Sequence, residues 1–507
     1  MDRRSSEELG IPIRMLMERA GLAVFNEIRE LLPEGARITF LCGKGNNGGD
    51  GFVAARLSHL NGFHVDCLVA FDEAELGQEP RDQMVAAKEV GVPIFFANDK
   101  GYRRRIECLG CRDLAVDALL GTGAKGEVRG PVVQAIQAIN RSGTPVLSID
   151  VPSGIDCDTG EELGESVWAA KTVTLGLPKP FLFQGTGLEH CGVWSVADLG
   201  FPASLLREPT DARLVDCEWV ASMVPERLKS SHKGDNGHVL IVAGSQKMPG
   251  AAVMAARSAI RSGAGLVTVA SIPAVCQIVA SHVPECIFLP LPELRGEVDR
   301  GAADVIEESV ERYDAALFGP GLTHSDQLLG FLGEVWANWK LPSLIDADAL
   351  NAVALGVPLP SSECVLTPHP GEMSRLLEAS VAEIQADRFA TVRQAIEKFG
   401  RCILLKGPHT IVGEQGNPMA VNSSGNPGLA SGGMGDVLGG LISTLLAQSV
   451  PAYYAASSGM YWHGLAGDFC AKEIGPVGYS AIDVANALPK ARAKIVASCN
   501  YESCCSS

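Results

Sequence analysis

The feature that most constrains this 507-residue chain is the punctuation of its short apolar runs. Arg37–Cys42, His64–Ala70, Asp113–Ala118 and Pro145–Asp150 each run into polar or glycine-rich sequence, and helix-like stretches such as Gly51–Leu60 and Gln83–Val90 lie between them. Such alternation calls for parallel strands joined by crossover helices, an α/β fold. In open sheets of that kind ligands bind beyond the carboxyl ends of the strands, so the turns there are where chemistry is sought. Between Leu199 and Glu226 the pattern lapses, with Pro202, Pro209 and Pro225 among charges, and this marks a domain junction. A second series follows at His238–Ala243, Leu266–Ser271, Ala315–Phe318, Ser343–Ile345, Cys364–Leu366 and Cys402–Leu405. The expected organisation is one domain over 1–205, an unlike one over 216–493, and a flexible Ser- and Cys-rich tail over 497–507.

Hydrophobic residues make up 46% and charged residues 20%, enough to bury two cores and too apolar for disorder. The net charge of −17 repels phosphate backbones and anionic lipid, so neither nucleic acid nor a membrane is an expected partner. Val437–Gly467 carries no Asp, Glu, Lys or Arg, but Pro451 interrupts it and it reads as a buried helix pair. Fifteen cysteines with no N-terminal signal pattern point to reduced thiols in the cytoplasm. Cys108 and Cys111 form a lone C-x-x-C without the further ligands that a zinc site needs.

After the first strand comes Gly43-Lys-Gly-Asn-Asn-Gly-Gly-Asp-Gly51. Its glycines allow close approach to a phosphate, and the helix start beyond them supplies free N–H donors. A dehydrogenase would also need a ribose-binding acid after the next strand, and Asp72 or Glu73 match that loosely. Two more strand ends carry Asp117-Ala-Leu-Leu-Gly-Thr-Gly123 and Ser148-Ile-Asp-Val-Pro-Ser-Gly154. On one rim, Asn47, Asp117 and Ser153 would form an all-oxygen cage for a hard cation, leaving Asp150 beside it for proton transfer.

Those three motifs in that order resemble the NAD(P)H-hydrate epimerase domain, over about residues 1–205. The resemblance implies a Rossmann-like three-layer fold and the interconversion of R and S epimers of NADH or NADPH hydrated on the nicotinamide ring. It implies that Asn46, Asn47, Gly48, Gly49 and Asp50 hold that nucleotide, together with Gly121, Thr122, Gly123, Ala124, Lys125, Gly126, Glu127 and Asp150. Asn47, Asp117 and Ser153 would bind potassium, and Asp150 would be the acid/base, with Lys179 a weaker candidate. Members of that family carry a short segment before the helix that starts here near Ile13, and a shortened start is expected to weaken this domain's packing or assembly.

In the second half Asn426-Pro-Gly-Leu-Ala-Ser-Gly-Gly-Met-Gly-Asp436 opens the uncharged helix. A glycine turn there points N–H groups at an anion, and a carboxylate beside it can take the proton of a hydroxyl attacking a phosphoryl group. Lys406-Gly-Pro-His-Thr410 follows a strand, with Lys406 as the phosphate cation. Gly319-Pro-Gly321, Asp346-Ala-Asp348 and Thr367-Pro-His-Pro-Gly-Glu372 end other strands, and Asp346, Asp348 and Glu372 could position Mg²⁺. Together with His232-Lys-Gly-Asp-Asn-Gly-His238, Met248-Pro-Gly-Ala251 and Ser262-Gly-Ala-Gly-Leu-Val-Thr-Val269, these look like the ADP-dependent NAD(P)H-hydrate dehydratase, a ribokinase-like α/β domain, over about residues 216–493.

That resemblance implies phosphorylation of the S epimer's ring hydroxyl followed by elimination. Ala264, Gly321, His369 and Asp436 would contact the hydrated nucleotide, with Asp436 as base. Lys406, Gly407, Pro408, His409, Thr410 and Gly435 would contact ADP. Both halves then share one substrate class, NADHX and NADPHX, and a homo-oligomer is expected. The alternative is a small-molecule kinase with a nucleotide-sensing module. An oxidoreductase lacks support, since no redox group is discernible.

Overall fold

The structure is a computed structural model, and it describes residues 8, 10–206, 208 and 210–499. The chain forms two compact units that divide between Pro209 and Thr210.

The first unit holds seven strands: β1 (Arg37–Cys42), β2 (His64–Val69), β3 (Ile94–Phe96), β4 (Leu114–Ala118), β5 (Val146–Ile149), β6 (Lys171–Leu175) and β7 (Val193–Ala197). They lie in the order β3-β2-β1-β4-β5-β6-β7, every pair parallel. The strand order reverses between β1 and β4, the place where such sheets open a crevice. The central strands are buried, with Phe40, Leu41 and Val116 fully enclosed. The crossover helix Asn46–Leu60 follows β1 and is covered by the helix Ile13–Leu31. A Cβ on Gly49 would lie 2.5 Å from the Met17 sulfur, so glycine lets these two helices touch.

The second unit is built on ten strands: β8 (Ala212–Val215), β9 (His238–Val242), β10 (Leu266–Ser271), β11 (Ile287–Pro290), then, past the small hairpin β12 (Glu293–Leu294) and β13 (Glu297–Val298), β14 (Ala315–Phe318), β15 (Ser343–Ile345), β16 (Cys364–Leu366), β17 (Cys402–Leu405), β18 (Ile411–Gly413) and β19 (Met419–Asn422). The order is β11-β10-β9-β14-β15-β16-β17-β18-β19-β8. Pairing is parallel from β11 to β17, antiparallel through β18 and β19, and parallel again at β8. The uncharged stretch forms the expected buried pair, helices Met434–Ala447 and Ala452–Glu473. No helix among the described residues is long and apolar enough to cross a membrane.

Three expectations change. The second unit begins at Thr210 rather than 216, because β8 adds a strand beside β19 that its charged, proline-flanked sequence conceals. The tail expected from residue 497 is helical as far as Cys499, at the end of helix Ala481–Cys499, and 500–507 lie outside the described residues. The Asn46–Asp50 motif is the first turn of a helix, not a loop before one. Gly45 caps that helix without a side-chain hydrogen bond, which leaves its first N–H groups for a ligand.

Closure at the β1–β4 switch point depends on Gly43, where a Cβ would sit 1.8 Å from the Leu119 carbonyl oxygen. Both contacting groups are backbone and cannot swing aside. Gly43→Ala is expected to cost about 3 kcal/mol or more, measured by denaturant unfolding of the first unit; a change below about 1 kcal/mol would contradict this reading of the switch point.

Candidate functional sites at the two sheet rims

On the first rim the residues after β1, β4 and β5 converge. Asp117 is fully buried, and its Oδ1 accepts from Ser153 Oγ at 2.5 Å and the Leu119 N–H at 3.2 Å. Its Oδ2 accepts from Ser148 Oγ and the Ser153 N–H, both at 2.8 Å. Burial raises the Asp117 pKa against the pull of these hydrogen bonds. Asn47 donates through Nδ2 to the Leu120 carbonyl at 2.8 Å, whose N–H in turn reaches Ser153 Oγ at 2.8 Å. The Asn47 Oδ1 is buried and has no hydrogen-bond partner. Buried acceptors are rarely left so, which makes this oxygen the one group here waiting for a cation or donor.

Asp150, at the tip of β5, has φ +70, a left-handed conformation that is unusual for a residue with a Cβ and that gathers at functional sites. Its Oδ1 accepts from the Leu175 N–H at 3.0 Å and from Lys179 Nζ at 2.5 Å. Lys179 is not an exposed lysine: its side chain is 17% exposed and also donates to Thr174 Oγ1 and the Leu175 carbonyl. Asp150 is thus an ion-paired carboxylate in a nearly closed site. Gly121 stands against Asn47, while Thr122, Gly123, Lys125, Gly126 and Glu127 form an exposed turn. The Lys125 ammonium bridges Asp156 at 3.0 Å and Asp158 at 2.8 Å.

On the second rim the loops after β14 to β17 meet the start of helix Met434–Ala447. Lys406 Nζ lies 2.7 Å from Asp346 Oδ1 and 3.6 Å from Glu372 Oε2. Burial opposes the lysine's charge, but the Asp346 and Glu372 carboxylates outweigh it and raise the pKa. A Cβ on Gly435 would fall 3.4 Å from Lys406 Nζ and 3.8 Å from Asp346 Oδ2, so the helix start abuts this cluster. Asp436 follows it, half-buried, and does not cap its helix; Gly433 is the cap, at φ +88. Burial and the neighbouring Asp346 charge push Asp436 up to about 7, with Lys406 pulling it back.

His369 sits exposed at the start of helix Pro370–Leu377, where Nδ1 accepts from the Gly371 N–H at 3.0 Å and the Glu372 carboxylate accepts the His369 N–H at 2.8 Å. Asp348 accepts the Thr323 N–H at 2.9 Å beside Ala347, itself at φ +50. Gly321, at φ +65, lies against Met248 and Ala251 at the start of helix Pro249–Ser262.

Ala264 stands apart. It lies beyond the far end of helix Pro249–Ser262 and before the first residue of β10, so the length of that strand, about 17 Å, separates it from the rim. The rim residue of that segment is Ala251, at the other end of the helix. A second group was invisible in sequence: the buried Arg388, from the helix Arg388–Phe399, donates to the carbonyls of Leu405, Lys406 and Pro408 and fixes the turn that carries Lys406–Thr410. Burial lowers its pKa to about 10. Nothing in its local sequence sets it apart from a surface arginine.

Residues 239–490 match the family described as NAD(P)H-hydrate dehydratase, and residues 13–181 match the family described as YjeF-related protein N-terminus. A bifunctional NAD(P)H-hydrate repair enzyme of Coxiella burnetii is 40% identical over 95% of this chain and 95% of its own length. That of Escherichia coli is 35% identical over 96% of this chain and 91% of its own. The chain belongs to the bifunctional NAD(P)H-hydrate repair enzyme family. A ribokinase-like superfamily protein of Enterococcus faecalis superposes with a TM-score of 0.51 at 27% identity, covering 57% of this chain and 98% of that one. The second unit has the ribokinase-like fold and the first is Rossmann-like, as the motifs implied.

Because a carboxyl with a raised pKa favours the fold while protonated and loses that contribution as pH rises through its folded value, Asp436→Asn is expected to stabilise the second unit above pH 8 by on the order of 2 kcal/mol and to change it little near pH 4. Thermal unfolding at the two pH values checks this, and a destabilised variant at the higher pH would contradict the environment described.

Proposed function

We propose that the two rims act in turn on one hydrated nicotinamide nucleotide, the first exchanging its R and S epimers and the second dehydrating the S form. Family membership over nearly the whole chain carries this reading, and the two rims fit it. At the first rim the open helix start at Asn46–Asp50 and the exposed turn Gly121–Glu127 hold the nucleotide, as phosphate groups favour free N–H donors. Asp150 exchanges a proton with the ring, and the hydrogen bond from Lys179 holds its carboxyl group in place. The orphaned Asn47 Oδ1, with Asp117 and Ser153, suits a hard monovalent cation such as potassium. Bound there, the cation would supply positive charge beside the nucleotide.

At the second rim Asp436 removes the proton of the ring hydroxyl as that oxygen attacks the terminal phosphoryl group of ADP, and AMP leaves. The phosphorylated oxygen then departs as phosphate while the ring gives up a proton, restoring the reduced nicotinamide. Hydroxide is a poor leaving group and phosphate a good one, which is why a kinase-like site serves a dehydration. A carboxylate near pKa 7 is poised for this transfer. Lys406, Gly407, Pro408, His409, Thr410 and Gly435 line the ADP side, and Gly321 and His369 the hydrated nucleotide. Among the described residues no three His, Cys, Asp or Glu side chains converge as a metal site, so Mg²⁺ would rest on phosphate oxygens with Asp346, Asp348 or Glu372 in support.

Supplied with an R/S mixture of hydrated NADH, ADP and Mg²⁺, the chain is expected to consume both epimers, recover the absorbance of reduced nicotinamide, and release AMP and phosphate. Asp150→Asn leaves the R epimer behind. Asp436→Asn lowers dehydration at least about 10²-fold and spares epimerisation. A stable phosphorylated product would instead mark a kinase. The rate of dehydration is expected to rise with pH through about 7, as Asp436 ionises, and a rate that falls across that range would remove it as the base.

A further inference from the structure

At the edge of the second sheet where the strands begin, remote from the catalytic rim, lies a cavity of about 630 Å³, a size that suits a nucleotide. It is bordered by the carboxyl ends of helices Pro249–Ser262 and Met434–Ala447 and by one side of helix Ala481–Cys499. Arg227, Arg261 and Arg492 line it, in a chain of net charge −17. None of the three forms an ion pair among the described residues. Arg492 donates to the Pro225 carbonyl at 2.7 Å and Arg261 to the Asn486 carbonyl at 3.3 Å, while Arg227 has no hydrogen-bond partner there. Burial, and then the Arg227 charge, hold the Arg492 pKa below the usual arginine value, so these two cations repel each other.

Gln448 Nε2 donates to the Gly263 carbonyl at 3.2 Å, just beyond the end of helix Pro249–Ser262, and to the Asn236 carbonyl at 3.3 Å. Two carboxylates border the cavity, Glu226 and Asp235; Asp235 is turned to the His232 N–H at 2.9 Å, and neither reaches an arginine within ion-pair distance. Ile260, Pro489 and Val496 add an apolar wall.

From three arginines without an ion pair lining one roomy cavity, we propose that it binds a small molecule bearing a diphosphate group, with Arg227 and Arg492 bridging the phosphates, Arg261 flanking them, and the apolar wall taking the rest of the ligand. Arginine's planar fork suits phosphate oxygens, and an anion removes the repulsion between the two guanidiniums. The site is separate from the one that carries Lys406 and Asp436.

Calorimetric titration of the full chain with inorganic pyrophosphate tests this. Lys406→Ala, which disturbs the catalytic rim, should keep one bound equivalent, and adding Arg227→Ala and Arg492→Ala should weaken that equivalent at least about tenfold. The thermal unfolding transition of the second unit serves as the check that it remains folded. Should the triple variant not fold, Lys406→Ala combined with Arg227→Gln, at an exposed position, gives the same reading. Competition by ADP for this equivalent would identify a nucleotide as the source of the diphosphate, and binding of pyrophosphate without such competition would identify the free anion. Pyrophosphate binding unchanged by the arginine substitutions, or absent from the Lys406→Ala chain, overturns the proposal.

Discussion

Parallel strands all end at the same edge of their sheet, and both halves of this chain depend on that constraint. In the first unit it delivers Asn46–Asp50, Asp117–Glu127 and Asp150–Ser153 to neighbouring strand ends. The arrangement closes only because Gly43 lets two backbones touch at the switch point. In the second unit the same rule lines up Gly321, Asp346, His369 and Lys406 along successive strands, and one glycine-rich helix start completes the set.

The two rims handle buried charge differently. The first pairs Asp150 with Lys179 and saturates Asp117 with hydrogen bonds, leaving one amide oxygen unmet. The second buries one ammonium among carboxylates, and Lys406 is shared by Asp346 and Glu372. Asp436 is left with the repulsion of Asp346 and only part of the lysine's attraction. A base near neutrality follows from that imbalance, with no group dedicated to producing it.

Much of this was legible in the chain's pattern. The central strands are continuous apolar runs, and β1, β10 and β14 to β17 have the bounds that the sequence suggested, because buried parallel strands carry their signal in composition alone. The strands β6, β7, β8 and β19 mix polar and apolar residues and escape the pattern, as do the short β3, β11 and β18. The strand-end motifs reached their rims because turn chemistry is local. Ala264 did not, since a glycine-rich segment reads alike at either end of a helix, and only the strand direction says which edge it occupies. Arg388 and the Asp150–Lys179 pair depend on contacts across the fold, which no spacing in the sequence encodes.

The proposed reaction sequence requires both rims to accept the same water-adducted coenzyme. Crystallography of the Asp150→Asn, Asp436→Asn chain grown with hydrated NADPH tests that most directly. One molecule is expected at each rim, its modified ring near residue 150 in the first unit and near residue 436 in the second. Density at a single rim, with the other empty at saturating ligand, would contradict it.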